Sequence, residues 1–183
     1  MSMQLVAKRY ARALAASVQD NEQLEAVLAS LDDFSIAYAE HAELRRALEN
    51  PSIPYAVREK PFREFIDKIE GPGITRSFLM TLFRRGRIAG IGNVVSTLRG
   101  IVDERLNRAR ATVTTATQLD ANQLKNIESG LKTYSGKNIQ MEYQIDTDIL
   151  GGVVVHIDGT VIDGSLRSHL GRIREALLNE ENV

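Results

Sequence analysis

The segment of this sequence most similar to a phosphate-binding loop contains Gly130, Gly136 and Lys137. Such a loop has four residues between its glycines, and a serine or threonine after the lysine binds magnesium. Here five residues separate the glycines, and Asn138 follows the lysine. The segment also comes after a predicted helix, whereas a phosphate-binding loop follows a strand. We therefore interpret it as the end of that helix.

Side chains that could serve as metal ligands, bases or nucleophiles are scattered along the chain. The three histidines lack the i, i+4 spacing with which two histidines of one helix hold zinc. There is no cysteine, so disulfides, thiolate ligands and cysteine nucleophiles are excluded. Four aspartates near the C-terminus lack calcium-loop spacing, and turn or capping roles explain them better. These residues are His41, His156 and His169, and Asp146, Asp148, Asp158 and Asp163.

We accordingly predict no catalytic residue, no metal site, no bound cofactor and no enzymatic activity. Two arginine clusters suggest a different chemistry, the binding of phosphate groups. Each cluster lies at the C-terminal end of a predicted helix, where cations favour the last turn because of the helix dipole. A net charge of −1 and 5% aromatic residues also argue against a surface devoted to nucleic acid. A nucleic-acid-binding helical bundle is therefore only the alternative. The clusters are Arg84, Arg85 and Arg87, and Arg105, Arg108 and Arg110.

The strongest local pattern lies near the C-terminus and predicts a β-hairpin. Two β-branched runs, 153–157 and 160–162, flank the dipeptide Asp158-Gly159. This dipeptide is a strong hairpin signal because both central residues of the turn need positive φ. Gly151-Gly152, just before the first run, predicts a bulge or a close approach of another backbone segment.

A final helix is predicted after the hairpin. Either Asp163 or Ser165 can cap its N-terminus. Its apolar residues recur at intervals of four, three and four, which gives one narrow stripe along the helix. The stripe consists of Leu166, Leu170, Ile173 and Leu177.

Residues 1 to about 108 have helical periodicity only, and they predict a compact bundle of about six helices. Pro61 predicts that the fourth helix starts late or kinks. The predicted helices are Met3 to Val18, a second through Leu24 to Tyr38, a third ending at Asn50, Val57 to Ile69, Ile74 to Phe83, and Gly92 to Arg108.

The apolar period then changes from helical to two, which predicts strands at 112–115 and 139–145. Between them, Asp120 and Gln123 form a capping box for a helix that ends at Gly136. With the hairpin and the final helix, this makes a small β-α-β-β-β-α unit. The fold class is therefore mixed: an N-terminal all-α bundle, residues 1–108, precedes a small α+β domain, residues 109–183.

The C-terminal stretch resembles the δ-subunit family of the rotary, F-type proton-translocating ATP synthase, which includes the mitochondrial oligomycin-sensitivity-conferring protein. The resemblance rests on residue types at fixed spacing, and weaker matches follow in the family's order through the helical half. The C-terminal matches are Asp148, Ile149-Leu150, Gly151-Gly152, Val153 to Ile157, Asp158-Gly159, Asp163 and Ser165-Leu166-Arg167. The N-terminal matches are Arg9 to Leu14, Asn50-Pro51, Ile53-Pro54, Phe78-Leu79 and Gly86-Arg87.

The resemblance implies a non-catalytic peripheral-stalk subunit, present as one copy in a hetero-oligomeric complex. In the family, the helical domain binds the N-terminal helix of an α subunit in a groove between its first and fifth helices. The C-terminal domain binds the ends of the b subunits. By position, the groove residues are Tyr10, Ala13, Leu14, Phe78, Leu79 and Leu82. The stalk-binding residues are Gly151, Gly152, Leu166, Leu170, Ile173 and Leu177.

Membrane association is expected only through such partners. No apolar run approaches the roughly 18 residues that a membrane span needs, and the N-terminus has no signal-peptide core. The sequence therefore predicts a soluble protein. Together with the resemblance, it predicts a location on the cytoplasmic face of the bacterial inner membrane, in a complex that performs ATP synthesis and hydrogen ion transport.

Overall fold

Six α-helices come first in the computed structural model, which describes residues 3–147 and 149–172, and a four-stranded sheet follows them. The chain divides into two compact units, Met1–Leu106 and Asn107–Val183. The described part of the first unit is built from helices, and the second unit combines strands with helices. This architecture confirms the predicted fold class.

Capping and proline positions explain where the helices begin. Asp20 caps the second helix by accepting a hydrogen bond from the backbone N–H of Gln23 at 3.1 Å. Pro54 and Pro72 stand immediately before the fourth and fifth helices, where the absent N–H is no loss. A 3-10 turn, Ile88–Gly90, leads into the sixth. The helices are α1 (Met3–Ser17), α2 (Asn21–Glu40), α3 (Ala42–Glu49), α4 (Tyr55–Ile66), α5 (Gly73–Arg84) and α6 (Ile91–Arg105).

The predicted bounds of two helices, α4 and α6, are wrong. Pro61 lies inside α4, which begins at Tyr55 and not later, and α4 ends at Ile66 and not at Ile69. The proline removes one helical hydrogen bond, that to the carbonyl of Val57, and Val57 is exposed, so water can satisfy this carbonyl. Helix α6 stops at Arg105 because Asn107 adopts a positive φ of 48° and a strand follows immediately.

Aromatic rings fill the centre of the helical unit. Phe62 of α4 stacks on Phe83 of α5 with ring centroids 4.2 Å apart, and it meets Phe34 of α2 edge-on at 6.1 Å. Phe34 and Phe62 are fully buried. Around them lie the apolar stripes that the sequence pattern predicts for α1, α2, α5 and α6. Burial of these stripes against one another provides the main stabilisation of the unit.

Arginines on α6 tie it to the first two helices. Arg99 forms a salt bridge with Asp32 of α2 at 2.5 Å. The guanidinium of Arg105 donates to the backbone carbonyls of Val18, at 2.8 Å, and of Gln19. These carbonyls follow the end of α1, where the backbone lacks helical partners. The Arg105 side chain therefore caps the C-terminal end of α1.

The elements of the second unit are β1 (Arg108–Thr115), α7 (Ala121–Ser135), β2 (Asn138–Ile145), β3 (Val153–Ile157) and β4 (Thr160–Asp163). The sheet has the strand order β2-β1-β3-β4. The strands β1 and β2 are parallel and are joined by helix α7, whereas β3 pairs antiparallel with β1 and β4. A final helix begins at residue 166 and is described to residue 172. The predicted β-α-β-β-β-α order is confirmed.

Local signals in this unit take the predicted form. Asp120 and Gln123 form a reciprocal capping box at the start of α7, and Gly136 ends it in the left-handed conformation. At the hairpin, Asp158 and Gly159 have φ values of 47° and 80°. The first strand is longer than predicted, since it starts at Arg108 and not at Thr112. Its alternating burial extends through residues that are not β-branched, which the sequence argument overlooked.

One face of this sheet carries the apolar core. Leu131 and Ile127 of α7 pack against Ala111, Val113 and Val155, which are neighbours across β1 and β3. Within the part of the chain that the structure describes, no helix combines the length and the apolar character that crossing a bilayer requires.

Arg105 provides a test of the helical unit. We expect Arg105→Gln to lower the free energy of unfolding by about 1–2 kcal/mol, because the carbonyls after α1 lose a charged donor. Lys68→Gln is the matched control: it removes one exposed cation from the same unit and should change stability by less than about 0.5 kcal/mol. Urea denaturation followed by circular dichroism measures both, and equal effects would contradict the capping role.

Candidate protein-binding surfaces

Helices α1 and α5 meet at the surface of the helical unit. Tyr10 of α1 and Phe78 of α5 are both partly exposed, and their rings meet edge-on with centroids 6.3 Å apart. Ala13, one turn further along α1, is exposed. The structure therefore brings three of the predicted groove residues to one surface. We call this surface the α1–α5 groove.

The other three predicted groove residues belong to the core. Leu79 and Leu82 are fully buried, and Leu14 is 4% exposed. They lie on the sides of α1 and α5 that face the bundle, whereas Tyr10 and Phe78 lie at its margin. The apolar stripe of a helix that packs at an angle is wider than the area in contact with its neighbours. Sequence spacing alone therefore does not distinguish buried core residues from those at the edge of the stripe.

Two groove residues were missed by the sequence argument. Val6 precedes Tyr10 by one helical turn, and Ile74 precedes Phe78 by one turn, and both are partly exposed. The i, i+4 spacing from the predicted residues was the signal that could have identified them. Val6, Tyr10 and Arg87 border a small recess whose floor includes Val94 of α6.

Gly151 and Gly152 hold the start of the final helix against the start of β3. The backbone of Gly152 has a φ of 88°, and a Cβ atom on this residue would lie 2.3 Å from the carbonyl oxygen of Gly164. The N–H of Leu166 donates to the carbonyl of Gly151 at 3.0 Å, and that of Gly164 donates to Val153 at 2.9 Å. The predicted close approach of another backbone segment is confirmed at Gly152.

Both predicted capping residues act at the N-terminus of the final helix. The Ser165 hydroxyl accepts from the N–H of Ser168 at 3.3 Å. Asp163 accepts from the N–H of Ser165 at 2.8 Å and from the Ser168 hydroxyl at 2.5 Å. Hydrogen bonds to the Asp163 carboxylate, the largest effect coming from Ser168 and the next from Ser165, lower its pKa from 3.8 to about 2. Because the pKa is lower in the folded state, the ionised carboxylate stabilises that state fully above the ordinary pKa. This stabilisation is lost as the pH falls towards 2.

Leucines beside the glycine pair and on the final helix are exposed. Leu150 is 68% exposed, Leu166 is 52% exposed and Leu170 is 60% exposed. Leu150, Gly151 and Gly152 also line a cavity of about 500 Å³ beside α7, together with Ile127 and Val153. We call the exposed leucines and this cavity the C-terminal apolar surface. Ile173, Leu177 and Asp148 lie outside the residues that the structure describes.

Most of the remaining candidate groups have structural partners. His41 lies at the end of α2, with Nδ1 2.7 Å from the Ala37 carbonyl oxygen. Asp158 pairs with Lys137 at 2.8 Å, and Arg105 closes α1. Among residues 3–147 and 149–172, no three His, Asp or Glu side chains form a group that could hold a metal ion.

A helical bundle and a small α+β domain, each with an exposed apolar surface, define a two-domain protein of the kind that binds other proteins. The chain belongs to the ATP synthase delta (OSCP) subunit family, whose model matches residues 6–177. The resemblance that the C-terminal stretch suggested is thereby confirmed.

Individual relatives cover nearly the whole chain. The ATP synthase subunit delta of Desulfatibacillum aliphaticivorans is 33% identical over 178 residues, 97% of this chain and 97% of that protein. The subunit delta of Rhodopseudomonas palustris strain TIE-1 is 32% identical over 172 residues, 94% of this chain and 92% of its own length. None of these matches supports the nucleic-acid alternative.

A solved structure has the same fold at low sequence identity. A chain in the cryo-EM structure of the Toxoplasma gondii mitochondrial ATP synthase hexamer matches with a TM-score of 0.62 and 20% identity. The match covers 94% of this chain and 97% of that one. The arrangement of helices and strands is therefore retained where most side chains differ.

The contact at Gly152 can be tested by adding one methyl group. We expect Gly152→Ala to destabilise the C-terminal unit by at least about 2 kcal/mol, because the new Cβ meets a backbone oxygen at a positive φ. Gly130→Ala is the control, since Gly130 is exposed within α7 with no atom near its Cβ position. That change should stabilise the unit by about 0.5–1 kcal/mol.

Hydrogen exchange of the β3 and β4 amides in the full chain measures both effects. Equal protection in the Gly152→Ala variant and the unmodified chain would show that the two backbone segments can separate without cost.

Proposed function

We propose that this chain is a non-catalytic peripheral-stalk subunit of the F-type ATP synthase, which links the catalytic head to the membrane-anchored b subunits. The observation that carries the proposal is the pairing of two separately folded units, each with its own exposed apolar surface, in a member of the delta (OSCP) family. A connector needs two binding ends and no active site. Its location is the cytoplasmic face of the bacterial inner membrane.

The helical unit binds the N-terminal helix of an α subunit in the α1–α5 groove. An amphipathic helix buries its apolar stripe in such a groove, and its anchors recur at i, i+3, i+4 and i+7. Val6, Tyr10 and Ala13 on one wall follow this spacing, and Ile74 and Phe78 supply the other. The buried leucines beneath them keep the walls rigid.

The C-terminal unit binds the ends of the b subunits through the C-terminal apolar surface. Leu150, Leu166 and Leu170 are largely exposed in the isolated chain, and burying each would contribute about 1–2 kcal/mol. Gly152 and Gly164 fix the direction in which the final helix leaves the sheet. A fixed direction suits a subunit that must resist rotor torque while the head carries out ATP synthesis.

Ala13 tests the groove without disturbing the core. In a titration calorimeter, the full chain should bind a peptide of the α subunit's N-terminal helix from the same organism with one-to-one stoichiometry and a negative heat-capacity change. Ala13→Asp should weaken this binding at least about tenfold, because a carboxylate would be buried in an apolar contact. Leu14 and Leu79 are unsuitable, since changes there would unfold the bundle.

Ala29→Asp on α2 is the matched control, an exposed alanine changed to the same residue in the same unit. It should leave the affinity within about twofold of the original. A folded protein that does not bind the peptide, or that loses binding equally in both variants, would exclude the groove as the α-subunit site.

Leu170 provides the corresponding test at the other end. Leu170→Asp should weaken binding to a peptide of the b subunit's C-terminal end at least about tenfold, again because a charge replaces a buried apolar group. Val161→Asp is the control, because Val161 is similarly exposed but pairs with His156 on the sheet face opposite α7. Undiminished binding by the Leu170→Asp chain would place the b-subunit site elsewhere.

A further inference from the structure

The α1–α5 groove has an uneven distribution of charge. The helical unit, residues 1–106, contains fifteen lysines and arginines and fourteen aspartates and glutamates. All fourteen acidic residues lie outside α1 and α5, which carry only basic charges. Both helices that border the groove are therefore positive although the unit as a whole is close to neutral.

The positive charges concentrate at one end of the groove. The directions of the two helices are opposite, because Tyr10 meets Phe78 while Val6, earlier in α1, borders the same recess as Arg87, after α5. The start of α1 and the end of α5 therefore share one end. Arg85 follows Phe78 by two helical turns and is exposed at that end.

Arg9 adds a third positive charge beside the α1 wall. It follows Val6 by three residues and precedes Ala13 by four, so it flanks the apolar stripe of α1. Within residues 3–147 and 149–172, no acidic side chain forms a salt bridge with Arg9, Arg85 or Arg87. By contrast, Arg76 on the far side of α5 is paired with Asp67 at 2.9 Å.

The opposite end of the groove carries charges of both signs. Asp20 follows the end of α1, where it caps α2, and Glu70 precedes the start of α5. Arg105, whose guanidinium binds the carbonyls after α1, lies at this end as well, so its charges balance, whereas the end with Arg85 and Arg87 is positive. An occupant with complementary charges is favoured in one direction and disfavoured in the other.

We propose that the α1–α5 groove selects an amphipathic helix with acidic side chains at one end, and that this acidic end lies against Arg9, Arg85 and Arg87. The inference rests on the proposed function, which supplies the occupant as the N-terminal helix of an α subunit. It adds the charge that this helix must carry and the direction in which it lies.

The charge requirement is tested with a triple variant of the full chain. Arg9→Gln, Arg85→Gln and Arg87→Gln together should weaken binding of the α-subunit peptide at least about tenfold at about 0.05 M salt, mainly through slower association. The difference should nearly disappear at about 1 M salt, where the Debye length is about 3 Å. Changing the peptide's own Asp and Glu residues to Asn and Gln should have the same effect.

A matched triple variant removes three exposed cations from other parts of the helical unit. Arg46→Gln, Lys60→Gln and Lys68→Gln together should change the affinity less than about threefold at either salt concentration. If the peptide binds the unmodified chain but both triple variants bind it equally well, the charge inference is wrong and the groove remains the α-subunit site. If the unmodified chain does not bind the peptide at all, the proposed function fails at this end.

The direction of the bound helix has its own test. A nitroxide label at the acidic end of the peptide should broaden the NMR signals of the Arg85 and Gly86 amides. A label at the other end should instead broaden those of Gly73 and Ile74. The reverse pattern would overturn the proposed direction even if the salt dependence were as expected.

Discussion

Close approach of two backbone segments is the constraint on which the C-terminal surface depends. The backbone of Gly152 lies so near the carbonyl of Gly164 that any side chain at this position would collide with it. The contact couples the start of β3 to the start of the final helix, and the hydrogen bonds of Leu166 and Gly164 hold it closed. Together with the bonds of Asp163, this contact fixes the direction of the leucines on the final helix relative to the sheet.

The helical unit also contains a close approach that only a glycine permits. A Cβ atom on Gly71 would lie 2.5 Å from that of Ser30, so the loop before α5 packs directly on α2. Beneath it, the Ser30 hydroxyl donates to the Val27 carbonyl at 2.9 Å, and Thr75 of α5 must therefore donate to Ser30 at 2.8 Å. This buried polar contact sets the position of α5, and with it one wall of the groove.

Charge and apolar area have separate roles in the two surfaces. Apolar burial provides most of the binding free energy and has no preferred direction along a groove. Fixed charges contribute less affinity but determine the rate of encounter and the orientation of a partner. The uneven charge of the α1–α5 groove therefore complements its apolar walls. Where arginines instead meet backbone carbonyls, as Arg105 does, they stabilise the bundle.

The sequence by itself determined the order of elements, the hairpin at Asp158-Gly159 and the capping box at Asp120, whereas at Gly151-Gly152 it left open a bulge or a close approach. Each of these depends on residues near one another in the chain, so local conformational preferences reveal them. Only the tertiary structure decided that Leu79 and Leu82 are core while Phe78 is surface, and that Val6 and Ile74 join it. Burial depends on the angle and distance at which neighbouring helices pack, and a periodic pattern of apolar residues in the sequence specifies neither of them.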